Sequence, residues 1–157
     1  SMNRQIFFVE RGGWDHHNEL VAPQSELFTE LNDAIEIFWS EVVNLGLENN
    51  VVLYTASDFG RTLTSNGSGS DHAWGGNHFI ISGSVAGGEI YGSYPALAGG
   101  SNDLGRGRIL PSTSVDAYMG ELASWYGVPS SEISTVIPNI NNFNFANLSS
   151  PLGILTS

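Results

Sequence analysis

Val51-Val52-Leu53-Tyr54-Thr55-Ala56-Ser57-Asp58-Phe59-Gly60-Arg61-Thr62 is the stretch on which the fold reading turns. Its four leading residues are apolar β-formers, so they read as a buried strand that carries Asp58 at its tip. The chain then crosses a glycine-rich loop to Ser70-Asp71-His72-Ala73-Trp74-Gly75-Gly76-Asn77-His78 and enters a second apolar run, Phe79-Ile80-Ile81. Upstream, Arg4 to Glu10 contains Ile6-Phe7-Phe8-Val9, a third β-rich run with apolar residues on both faces. It ends at Gly12-Gly13 and leads into Trp14-Asp15-His16-His17. All four histidines therefore flank a predicted strand.

Between the first two of these runs in chain order, Leu27, Leu31, Ala34/Ile35, Phe38, Val42 and Leu45 recur at helical spacing, with Ser25 as N-cap and Gly46 as the stop. Strand, helix, strand is a βαβ unit, which implies a parallel pair and a right-handed crossover. Ligands collect at the carboxyl ends of strands in such sheets, the edge where Asp15, His17 and Asp58 fall. Residues 60–107 hold thirteen of the nineteen glycines and read as mostly loop, with a hairpin near Glu89-Ile90-Tyr91. A second amphipathic helix runs from Ser112-Thr113-Ser114 to about Tyr126 and stops at Gly127-Val128-Pro129. A short helical turn follows over 130–136, capped by Ser130 or Ser131, and the tail from Pro138 wraps the surface.

The bulk composition narrows the chemistry. At 157 residues and 41% hydrophobic content, one globular domain with a core is expected. The formal charge of −11, with five arginines and no lysine, argues against nucleic acid or an anionic membrane surface as a partner. Anions remain accessible if a metal or an arginine reverses the local field. No cysteine is present, so neither disulfide nor thiolate chemistry is available. No apolar run approaches the roughly 20 residues of a membrane helix. Ser1-Met2 reads as a cloning scar before a core strand, which suggests a piece of a longer protein.

Asp15 and His17, two apart after a glycine turn, can place a carboxylate and an imidazole on one cation. So short a pair is also commonly a solvated loop. Asp58 sits at a rigid sheet edge before Gly60, and its alternative is an ion pair with Arg61. That arginine also offers a planar fork suited to phosphate or sulfate oxygens. His72, in glycine-rich surroundings, is a candidate ligand or acid/base group. His78 reads as a strand-edge residue, and Arg106 and Arg108 as a solvated turn.

Gly-Gly-Trp-Asp-His-His at 12–17, Ser-Asp-Phe-Gly-Arg-Thr at 57–62, Gly-Ser-Asp-His-Ala-Trp-Gly-Gly-Asn-His at 69–78, Gly-Gly-Glu-Ile-Tyr-Gly at 87–92 and Gly-Arg-Gly-Arg-Ile-Leu-Pro-Ser-Thr-Ser-Val-Asp at 105–116 together resemble the C-terminal part of a bacterial family called domain of unknown function 1501. That family is similar to the alkaline phosphatase and sulfatase superfamily. The resemblance implies an α/β fold, a three-layer α/β/α sandwich with a mostly parallel sheet and metals at the strand ends. It also implies export to the periplasm or beyond. By the same resemblance Asp15, His17 and His72 match ligands of one metal, and Asp58 a ligand of a second. Phe59 stands where the superfamily has a histidine, and Glu19 where its first-site histidine usually comes.

The expectation is thus the C-terminal, metal-binding part of an exported hydrolase of anionic sulfate or phosphate esters. Zinc or calcium is its divalent metal, and Arg61 steadies substrate oxygens. The nucleophile would lie in a missing N-terminal half, leaving this chain inactive alone. The alternative is a non-catalytic exported binding or assembly module. A calcium-stabilised domain fits the acidic loops, but imidazoles are poor calcium ligands.

Overall fold

A computed structural model of the chain describes residues 3–97, 99–143 and 151–155. Ser1-Met2, expected above to be a cloning scar, and part of the tail lie outside them. In order, the elements are α1 (Val21–Asn44), β1 (Leu53–Tyr54), β2 (Gly60–Ser65), β3 (Ser70–Ala73), β4 (Ile80–Ile81), α2 (Val115–Tyr126), α3 (Ile133–Val136) and a 3₁₀ turn at Ile140–Asn142. Two compact units form: Ser1–Glu48 with Ala56–Asn77 and Ala96–Leu110, and Asn49–Thr55 with His78–Pro95 and Pro111–Ser157.

In the first unit, α1 starts four residues before Ser25 because Pro23 is accommodated in the first turn, where its missing N–H costs nothing. The helix stops as expected. Gly46 takes φ +67°, its N–H reaches Val43 O at 2.9 Å, and Leu47 N–H reaches Val42 O at 3.0 Å. Leu27 and Val42 are buried on its apolar stripe. The segment expected to be loop, residues 60–73, is instead an antiparallel hairpin, with Gly60 opposite Ala73, Arg61 opposite His72 and Ser65 opposite Ser70. Its turn is held by Asn66, whose Oδ1 accepts from Ser68 N and Gly69 N at 3.0 and 2.8 Å. Residues 103–110 lie along this hairpin: Leu63 N–H donates to Gly107 O at 3.1 Å, Thr64 N–H to Arg106 O at 3.2 Å, and Gly75 N–H to Ile109 O at 2.8 Å.

The second unit is built on α2, capped by Ser114, whose side chain accepts from Ala117 N, and closed at Gly127 in the left-handed region. Ala117, Ile133 and Ile140 are fully buried there. Glu121, also buried, accepts from Leu152 N, Ile154 N and Leu155 N at 3.1, 2.8 and 2.9 Å, which ties down residues 151–155. α3 begins after Glu132 with no side-chain cap, not after Ser130 or Ser131.

The three-layer α/β/α sandwich with a mostly parallel sheet is not what forms. Each sheet has two strands, and both pairs are antiparallel. β1 does not pair in parallel with the run at 4–10. It pairs with β4, Leu53 opposite Ile81 and Tyr54 opposite Ile80, and Thr55 N–H extends the ladder to Phe79 O at 3.2 Å. Residues 4–10 join no sheet among the described residues. Ile6, Phe7, Phe8 and Val9 are 72–89% exposed, so their two apolar faces are uncovered. Nor is there a hairpin at Glu89-Ile90-Tyr91.

Candidate metal centre

Two segments of the first unit build the site. The Gly12-Gly13 turn carries the chain into Trp14-Asp15-His16-His17, and this loop is anchored on α1. The Arg11 guanidinium pairs with Glu30 at 2.6 Å, and the Trp14 ring packs edge-on against Phe28 with centroids 5.0 Å apart. The hairpin supplies the other half: Arg61 on β2 and His72 on β3 are direct cross-strand partners. Ser70 N–H donates to His16 O at 3.1 Å, joining loop to hairpin. Gly69 lies so close to the loop that an added Cβ would sit 2.5 Å from His16 O.

Three donor atoms converge there. Asp15 Oδ1 lies 2.9 Å from His72 Nε2 and 3.1 Å from His17 Nε2, and the two imidazole nitrogens are 3.3 Å apart. All three residues face solvent. The structure thus brings together Asp15, His17 and His72, the three residues expected to share one metal. Asp58 is exposed at a bend in the same unit and is not among the converging donors. His78, in the second unit, stacks on Tyr118 with its Nδ1 3.4 Å from Thr55 Oγ1, and burial pushes its pKa down.

Arg61 is spoken for. Its side chain is only 15% exposed; Nη1 donates to Ser70 O at 2.6 Å, and Nη2 donates to Trp14 O and Asp15 Oδ1, both at 2.8 Å. It therefore aims the Asp15 carboxylate. The His72 imidazole first, then Arg61, holds Asp15 below the usual carboxylate range.

Four supporting residues were not assigned site roles from sequence. Asp71 Oδ1 lies 3.4 Å from His17 Nδ1. A carboxylate beside Nδ1 favours the proton there and leaves the Nε2 lone pair available. Asn66 Nδ2 donates to the same Asp71 oxygen at 2.9 Å and Arg106 Nη2 to the other at 2.9 Å. The Asn66 amide contributes most to keeping Asp71 below its ordinary pKa. Phe59 stacks on His72, with centroids 3.8 Å apart and planes 5° apart. The phenyl ring that stands in place of the superfamily's histidine thus lies flat against the His72 imidazole. No sequence signal marks Asn66 or Phe59 for these tasks, but Asp71 could have been found as the carboxylate adjoining His72.

Among the described residues, no helix is long and apolar enough to cross a membrane. In comparison with known proteins, the family model described as "Protein of unknown function (DUF1501)" matches residues 2–107. No curated protein and no solved structure matches the chain.

Proposed function

The chain belongs to the DUF1501 family, and from the cluster's geometry we propose that Asp15, His17 and His72 bind a divalent transition metal, zinc by preference. The observation that carries this reading is the donor triangle. Zinc bonds of about 2.0–2.1 Å set tetrahedral donor–donor edges of roughly 3.3 Å. The observed edges are 2.9, 3.1 and 3.3 Å. Two imidazoles and one carboxylate suit zinc, whereas calcium asks for about six to eight oxygens.

Three protein ligands leave a fourth position for water or substrate, as in catalytic rather than structural zinc sites. When bound, such a metal lowers the pKa of a coordinated hydroxyl or water and offsets the charge of an anionic ester. The chain's own residues prepare that position: Arg61 aims Asp15, Asp71 sets the His17 tautomer, and Phe59 fixes the His72 ring plane. We read the whole as the metal-binding, C-terminal portion of an exported sulfatase-like or phosphatase-like hydrolase acting on sulfate or phosphate esters. Phe59 in place of a second-metal ligand favours the other reading, a single-metal, non-catalytic binding module.

Elemental analysis of the dialysed protein beside His72→Ala tests the proposal. Roughly one zinc per chain, lost in the variant, is expected. Wild-type protein that holds no transition metal after incubation with zinc would count against it.

A further inference from the structure

Arginines are the only fixed cations in this −11 chain; Arg4 lies exposed on the 4–10 run with no side-chain partner among the described residues, and the other four, all in the first unit, are engaged differently. Arg11 pairs with Glu30, and Arg61 is committed to Asp15, Trp14 and Ser70. Arg108 closes its own loop, with Nε on Gly105 O and Nη2 on Leu104 O, both at 3.0 Å. Arg106 differs. Its Nη2 rests on Asp71 Oδ2 at 2.9 Å, its side chain is 52% exposed, and its Nε and Nη1 hydrogens have no partner among the described residues.

The backbone holds it there at a cost. Arg106 has φ +62°, between Gly105 at +93° and Gly107 at +69°. A non-glycine residue in this region is strained, and such strain persists where surrounding contacts over-determine it. They do so here: Asp103 Oδ1 accepts from Gly105 N and Gly107 N at 2.8 and 3.0 Å, and the loop carbonyls at 106 and 107 are bonded to β2. A Cβ at Gly107 would meet the Leu63 Cβ at 2.5 Å, so the loop cannot lift from the strand without losing that fit.

We propose that Arg106 is the anion-contacting residue of the site, its free guanidinium edge receiving oxygens of a tetrahedral oxyanion, phosphate or sulfate, presented to the metal held by Asp15, His17 and His72. The assignment rests on the metal reading above and moves the anion-binding role from Arg61 to Arg106. Asp71 steers the guanidinium through one nitrogen, and the rest of the planar fork stays available for bidentate contact. One metal and one arginine together reverse the local field of an acidic protein.

The test uses the zinc-loaded chain, desalted to remove free metal, titrated calorimetrically with inorganic phosphate and separately with sulfate. Arg106→Gly removes the guanidinium while suiting the left-handed backbone, and Arg106→Lys restores a charge without the fork. Wild type should bind at least one oxyanion, and the anion bound identifies the ester class. Compared at saturating zinc, Arg106→Gly should bind that anion at least tenfold more weakly, with partial recovery in Arg106→Lys. Wild-type affinity in Arg106→Gly, or zinc-loaded wild type that binds neither anion, overturns the assignment and leaves the metal reading standing. Absence of zinc uptake by wild type overturns both.

Discussion

The hairpin at Gly60–Ala73 and the run at Ile6–Val9 belong to the same unit and invert what their sequences suggest. The hairpin is glycine-rich, polar and without clean alternation, yet it pairs. The run is aromatic and β-branched, yet it stands exposed. Strand propensity measures how well side chains suit a half-buried pleated surface, and it has no force where no neighbouring strand offers that surface. The hairpin has one, because its own turn at Asn66–Gly69 brings β3 back beside β2, and the 103–110 segment covers the outer edge. Local polar chemistry therefore builds the Asp15–His17–His72 cluster, while the most hydrophobic stretch takes no part in it.

The largest effect should come from breaking the hairpin. A Cβ at Gly60 would collide with the carbonyl of Gly75, so Gly60→Ala should destabilise the first unit by about 1–3 kcal/mol and abolish tight zinc binding, read by thermal melts and dye competition. If Gly60→Ala melted and bound as wild type, the close approach of the two segments would be wrong. A smaller loss is expected from Asp71→Asn, which keeps the shape but removes the carboxylate beside His17 Nδ1: roughly 10–100-fold in zinc affinity with little change in stability. Unchanged affinity would reduce Asp71 to a partner of Arg106 alone.

At the other pole of the comparison, Phe8→Lys should alter stability by less than about 0.5 kcal/mol, read by thermal melts, since Phe8 is 86% exposed. A strong destabilisation would show that the run is packed after all. The smallest effect is on acid stability. Asp15 and Asp71 have folded-state pKa values lowered from the ordinary 3.8, so their stabilisation is present above about that pH and fades as pH falls through the depressed values. Melts from pH 5 to 3 should show a steeper fall for wild type than for Asp15→Asn; equal slopes would remove Asp15 from the network.

Helices were the legible part of the fold. α2 carries its own punctuation in Ser114 and Gly127, and α1 ends at Gly46 because the turn there needs a positive φ. The parallel sheet was misread because a strand–helix–strand order does not by itself specify which edges pair. β1 chose β4, which the loop returns to it in the antiparallel sense. In the site, Asp15, His17 and His72 could be anticipated because each follows a glycine turn or sits in glycine-rich chain where an imidazole has no apolar role. The division of labour between Arg61 and Arg106 could not be anticipated. Both are arginines beside glycine, and only burial and hydrogen bonding separate the one committed to Asp15 from the half-exposed one on Asp71.

The most direct measurement is X-ray absorption at the zinc edge of the zinc-loaded chain. The account predicts two imidazole nitrogens and one carboxylate oxygen at about 2.0–2.2 Å, with a further light-atom ligand from solvent, and loss of one imidazole in His72→Ala. Zinc surrounded only by oxygens, or a spectrum unchanged in His72→Ala, would contradict it.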